Sequence, residues 1–215
     1  MIIDLPQTTT STVAKKLIKL RQEGGAVALG RVLTLLIITD EQDADEAIDA
    51  ANDASREHPC RIIVLASTTG TSDNSLDAQI RLGGDAGASE VVVLKGPAST
   101  MEHADTLIMP LLLPDAPIVA WWPHEAPAHP AKDIVGSMAS RRITDSYSSA
   151  DPCGTLRRLA AAYTPGDTDL AWTRTTIWRG LIAATLDQPP FEPVEKVVVE
   201  GVPDHSSVDL LGAWL

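Results

Sequence analysis

The side chains best suited to chemistry occur in a few short runs. His124-Glu125 with His129 has the composition of a zinc-protease pair, but that chemistry needs two histidines four apart on one helix. Here the spacing is five and Pro127 forbids the helix, so the histidines read as solvated loop residues. Cys60 follows His58-Pro59, and a neighbouring imidazole can lower a thiol pKa. A cysteine opening an apolar run is more commonly a buried structural thiol, so Cys60 is expected to be reduced, buried and unpaired with Cys153. The glycines of Gly83-Gly84-Asp85-Ala86-Gly87 are followed by a β-rich run. A phosphate loop needs a helix N-terminus there, so a hairpin turn is expected. No nucleophile elbow or Walker sequence is present. No catalytic residue, metal ligand or cofactor is therefore assigned. Two groups suit recognition instead: Arg141-Arg142 with Asp145, and Trp172 with Arg174. Arginine forms bidentate pairs with carboxylate or phosphate, and Trp with Arg dominates interface hot spots.

The most apolar stretch, Leu107–Pro123, positions a further pair, Trp121-Trp122. Three internal prolines, Pro110, Pro114 and Pro117, exclude a membrane span and indicate a short helix through Leu111–Leu113, a turn, and a core strand Ile118–Trp122. Successive strand residues point to opposite faces, so the two indoles cannot fill one core layer. One of them needs a second layer, a ligand or a partner.

Composition narrows the class. With 215 residues, 44% of them hydrophobic, the chain can bury a sizeable core. Seventeen basic against 29 acidic residues give −12, which argues against nucleic acid or anionic membrane as the main partner. Two distant cysteines and no export signal indicate a reducing, cytoplasmic setting.

The elements read as an α/β fold: a mixed, mostly buried sheet with flanking helices, followed by a smaller helical or α+β segment. Thr8–Thr12 supplies N-caps for a helix with Val13, Leu17, Ile18 and Leu20 inward, ended by Gly24-Gly25. Near-continuous apolar runs at Ala26–Thr39, Cys60–Ser67, Ser89–Lys95 and Ile118–Trp122 predict neighbouring strands of one sheet buried on both faces. Asp40 caps a helix over Asp43–Glu57 with Ala44, Ala47, Ile48, Ala51 and Ala54 inward. Thr68–Ser75 is a turn region. Leu76–Leu82 alternates like a half-exposed strand, hairpinned to the strand before it. Helices are expected at Ala98–Ile108 and Ile134–Ser140, and a last short strand at Arg141–Asp145. A boundary is placed at 147/148, giving an N-terminal unit 1–147 and the start of a second, incomplete unit 148–215. In that unit Thr155–Tyr163 is helical with Leu156 and Leu159 inward. Asp167 or Thr168 caps a long helix to Asp187 with Leu170, Ile177, Trp178, Leu181, Ile182 and Leu186 as its stripe. A strand at Glu195–Glu200 and a helix from Ser207 complete the reading, and the natural chain is expected to extend beyond Leu215.

Four segments together carry a resemblance: Arg56–Arg61 (REHPCR), Pro110–Pro123 (PLLLPDAP with AWWP), Arg141–Asp145 (RRITD) and Gly166–Arg174 (GDTDLAWTR). They resemble those of the glucose-6-phosphate dehydrogenase assembly protein family, OpcA, in its actinobacterial branch. The resemblance implies a non-catalytic activator that binds glucose-6-phosphate dehydrogenase, the entry enzyme of the oxidative pentose phosphate pathway. Thiol redox control belongs to the cyanobacterial branch and is not carried over to Cys60 and Cys153. Trp121, Trp122 and Trp172 are then the expected anchors, with Arg141, Arg142 and Arg174 giving orientation. The alternative is a sugar-phosphate-binding α/β enzyme or sensor, lactonase-like, of the same pathway. It would take its anion-binding cations from Arg56, Arg61, Arg141 and Arg142.

Overall fold

The structure, a computed structural model, describes residues 1–23, 31–69, 75–83, 90–189, 191 and 193–215. The expected turn glycines at 24–25, the start of the Ala26–Thr39 run, most of the Thr68–Ser75 turn and Gly84–Gly87 lie outside these residues.

Among the described residues eight strands form one sheet: β1 (Ile2–Leu5), β2 (Leu33–Asp40), β3 (Cys60–Thr68), β4 (Asp77–Arg81), β5 (Glu90–Pro97), β6 (Ile118–Trp122), β7 (Arg141–Thr144) and β8 (Asp167–Asp169). Their order is β1-β4-β5-β3-β2-β6-β7-β8. The six strands from β5 to β8 run parallel, while β4 is antiparallel to both β5 and β1. The four apolar runs therefore stand side by side as β5-β3-β2-β6, as expected of strands covered on both faces.

Alternation sends side chains to two cores. One face gathers Leu36, Ile63, Leu65, Val92, Leu94, Ala120 and Trp122 against Val13, Leu17 and Leu20 of helix α1 (Thr10–Glu23), Ala104 and Ile108 of α4 (Ala104–Ile108), and Leu111. The other gathers Ile37, Ile62, Val64, Val91 and Val93 under Ala44, Ala47, Ile48 and Ala51 of α2 (Ala44–Ala54). The small residues let α2 lie close to the sheet. Each Val, Leu or Ile fully buried here contributes about 1.5–3 kcal/mol.

Several sequence expectations shift. Ile18 is 54% exposed, so the buried stripe of α1 has three members. The strand expected to start at Ala26 runs Leu33–Asp40. A 3₁₀ turn over Glu41–Asp43 precedes α2, which ends at Ala54, with Ser55 rather than Ala54 buried. β4 pairs with the following strand, β5, and with β1, which the sequence reading missed. The helix expected over Ala98–Ile108 breaks at His103 into α3 (Ala98–Met101) and α4. The short helix expected through Leu111–Leu113 is instead a 3₁₀ turn at Met109–Leu111, because Pro110 fits its start and Leu112 is extended. Gly136–Met138 is likewise 3₁₀ rather than part of a longer helix.

Beyond β7, α5 (Pro152–Ala161) is capped by Asp151, whose carboxylate accepts from the Gly154 N–H at 2.9 Å. Cys153 and Thr155 are its buried residues, with Leu156 and Leu159 half-buried. The long helix expected from Asp167 is three elements: β8, then α6 (Leu170–Arg174), then α7 (Thr176–Leu186). Asp169 explains the break. It caps α6 through the Ala171 N–H and ties β8 to β7. Residues Glu195–Glu200 form no strand, and α8 (Ser206–Trp214) follows. The division expected at 147/148 falls between β7 and α5, and β8 from its far side extends the sheet.

Candidate partner-binding surface

Strand register places the candidate residues on two faces. Trp121 stands opposite Ile37 and Ile143, and Ile143 opposite Thr168. Arg141 pairs with Val119 two residues before. Val119, Trp121, Arg141, Ile143 and Thr168 thus share the α2 face of the sheet. Over β5 and β3 that face is sealed; it begins to open at β2, where Leu33 and Leu35 are half-buried, and opens further over β6, β7 and β8. Val119, Trp121 and Ile143 are half-buried, and Arg141 and Thr168 are exposed. Trp121 leans on the α2-side core beside Leu33 and Leu35. Its indole N–H is buried with no hydrogen-bond partner among the described residues. A buried indole N–H ordinarily finds an acceptor, so this face lacks one component of a finished surface.

Trp122 takes the opposite layer. It is 3% exposed and packs with Val135 and Ala139 in the α1-side core. Gly136 lies so close that an added Cβ would sit 3.1 Å from the indole and 1.9 Å from the Pro130 carbonyl.

At the edge of the sheet two carboxylates organise the C-terminal segment. Asp145, 5% exposed, receives both terminal nitrogens of Arg174 at 2.5 and 2.6 Å. That bidentate pairing holds the Arg174 guanidinium pKa above its ordinary value, and Arg174 also lies 5.1 Å from the Tyr147 ring centre. Asp169 accepts from the Thr144 and Ser146 hydroxyls and from the Ser146 and Ala171 N–H groups, at 2.8–2.9 Å. Trp172 is half-buried and covered by the Arg179 guanidinium, 3.6 Å from its ring centre. A cavity of about 390 Å³ beside it is lined by Leu156, Leu159, Tyr163, Trp172 and Leu210.

A further crevice lies at the carboxyl ends of β2, β3 and β6, where the chain reverses direction across the sheet between β2 and β6. Open α/β sheets place ligands at such points. This one has about 210 Å³, with Asp40, Asp43, Ser67, His124, Glu125 and Asp133 on its walls. His124 sits 3.8 Å from the Asp43 carboxylate, and among the described residues no group of three His, Cys, Asp or Glu could hold a metal.

The sequence candidates therefore separate. Trp121 and Arg141 share the open face, whereas Trp172 and Arg174 organise the edge. Trp122 and Arg142 are interior. Arg142, 6% exposed, pairs with Asp167 and donates to the Ala139 and Pro165 carbonyls at 2.8 Å each. Arg61 is also interior, paired with Glu90, while Arg56 is an exposed cation beside Asp53 and does not join it. Sequence reasoning missed Ile143, whose place on the open face follows only from register. It also missed Asp145 and Asp169 as network centres, although Thr144 and Ser146 beside Asp145 signal a local polar cluster. Cys60 and Cys153 are both buried thiols.

The fold is an α/β sheet whose face over β6, β7 and β8 is only partly covered. Residues 51–161 match the family described as the glucose-6-phosphate dehydrogenase subunit N-terminal domain, and residues 165–215 the corresponding C-terminal domain. The chain belongs to this OpcA family. It is 27% identical over 175 residues to an OxPP cycle protein OpcA of Synechocystis sp., covering 76% of this chain. The chain spans 36% of that relative's length. No solved structure matches. None of the described helices is long and apolar enough to cross a membrane.

Proposed function

We propose that this chain is an assembly or activating subunit of glucose-6-phosphate dehydrogenase, non-catalytic and cytoplasmic, of the actinobacterial type, without a cofactor and with neither nucleic acid nor membrane as partner. The observation that carries the reading is the pair of family matches, both described as a subunit of that dehydrogenase. They do not favour the lactonase-like alternative.

Docking through the face over β6, β7 and β8 is supported by the half-buried Trp121, its unpartnered N–H and the exposed Arg141 beside it. Trp172 and Arg174 lie at the edge of the same three-strand region and supply a second contact, with residues 148–215 as the start of a second unit. Trp122 and Arg142 support the face from behind. Activation requires that the chain bind the active form of the dehydrogenase more tightly than the inactive one. A preference of about 2 kcal/mol would change the ratio of the two forms about 30-fold. Co-purification of the cognate dehydrogenase with this chain, followed by its activity with and without the chain, tests the reading. Stable association with raised activity is expected; no association, or association with unchanged kinetics, contradicts it.

A further inference from the structure

At the opposite end of the sheet from the switch-point crevice, one carboxylate carries three guanidinium groups. Glu90 opens β5 and is completely buried. Arg21, from the last turn of α1, reaches it with Nε at 2.9 Å and Nη2 at 2.6 Å. Arg31, just before β2, donates at 3.0 Å, and Nε of Arg61, the second residue of β3, lies at 2.8 Å. A carboxylate offers about four lone-pair directions, and three of these approaches are hydrogen bonds, while Arg61 Nε lies at ion-pair distance without making one. The remaining donors of three guanidiniums must look elsewhere. Arg61 turns one to the Leu111 carbonyl.

Charge makes the same point. Glu90 needs one counter-ion to be neutral, but among the described residues it has three, leaving an excess of two positive charges on partly desolvated groups. The Arg61 side chain is 6% exposed, Arg31 20% and Arg21 33%. Like charges gathered out of water are costly unless an anion joins them. This occurs in a chain whose net charge is −12, so it does not follow from a generally basic surface. Beside the cluster opens a cavity of about 180 Å³, walled by Arg21, Arg61, Leu17, Leu111 and Pro114.

We propose that this cavity binds a phosphate monoester, with the phosphoryl group on Arg21 and Arg61, the Arg31 charge behind them, and the organic part against Leu17 and Leu111. A phosphoryl monoester carries about −1.5 to −2 near neutral pH, which matches the excess charge, and guanidinium forks fit its oxygens. The site joins the ends of α1, β2, β3 and β5 to the segment leading into β6, so an occupant would brace the strand that carries Trp121. It does not rest on the dehydrogenase reading and is tested without the dehydrogenase.

Calorimetric titration of the full chain with inorganic phosphate and with glycerol 3-phosphate, against acetate and chloride at matched ionic strength, tests the assignment. Both phosphates should bind saturably, acetate more weakly and chloride not at all. Arg21→Gln and Arg31→Gln, at the two more exposed positions, should each weaken phosphate by about tenfold or more while circular dichroism shows a folded chain. Arg21→Lys should recover part of the loss, and Arg56→Gln should change nothing. Phosphate binding no tighter than chloride, acetate binding as tight as phosphate, or unweakened binding by both Gln variants would overturn the proposal.

Discussion

The parallel-strand body and the segment after α5 use similar apolar patterns to opposite ends. In β3 every residue from Cys60 to Ala66 is buried, and the small inner face of α2 is buried as its spacing dictates. In α7 the stripe Ile177, Trp178, Leu181 and Leu186 is as regular, yet no residue of that helix is buried and Trp178 is 62% exposed. Periodicity says which face of a helix is apolar. Whether something covers it depends on what stands opposite, and among the described residues the body supplies that and the segment does not. Polar bonds to the sheet anchor the segment instead, through Asp145 and Asp169.

This contrast can be broken by substitution, the largest effect coming from the body. Trp122→Ala should cost about 3–5 kcal/mol of stability, read by denaturant unfolding, because the indole fills the α1-side core against Val135 and Gly136. A loss below about 1 kcal/mol would show that this core tolerates a cavity and that the layer assignment is wrong. Asp169→Ala removes four hydrogen bonds that join β7, β8 and α6. It should cost about 1–3 kcal/mol and speed amide exchange at Ser146 and Ala171. Exchange unchanged at both amides would contradict the anchoring role. Gly166 has φ +103°, and an added Cβ would sit 2.8 Å from the Ser140 carbonyl. Gly166→Ala should therefore destabilise by about 1–3 kcal/mol in the same assay. Trp178→Ser, on the uncovered helix, should change stability by no more than about 0.5 kcal/mol. A larger loss would mean that α7 packs on the chain in solution.

The smallest effect concerns Cys153. Burial, with Asp209 and Asp204 nearby, pushes its thiol pKa up from the ordinary value. A raised pKa keeps the neutral thiol at pH 7, so alkylation by iodoacetamide should be slow there. It should accelerate only above the pH at which a free cysteine reacts. Free-cysteine rates at neutral pH would contradict the shift.

Much of the body was legible because β3 and β5 are covered on both faces and are written as unbroken β-branched runs. The ends of elements were not. Pro110 and His103 divide a stretch whose apolar spacing alone reads as continuous. The three-residue β8 carries Asp-Thr-Asp, with no apolar signal at all, and is a strand only because β7 lies beside it. The two-faced disposition of Trp121 and Trp122 followed from alternation. Which indole faces the open side did not, since that depends on α2 covering β2 and β3 and stopping short of β7. The burial of Arg61 and Arg142 was equally illegible, because their partners Glu90 and Asp167 lie 29 and 25 residues away in sequence.

Trp121 is the residue through which the proposed docking of the dehydrogenase on the face over β6, β7 and β8 is best tested. Dehydrogenase activity titrated with the parent chain and with Trp121→Ala gives the concentration of each needed for half-maximal activation. The variant should require about 30-fold more, the consequence of losing one anchor worth about 2 kcal/mol, while its unfolding remains cooperative. Half-maximal activation at the parental concentration, or a loss no greater than the unfolded fraction of the variant explains, would contradict it.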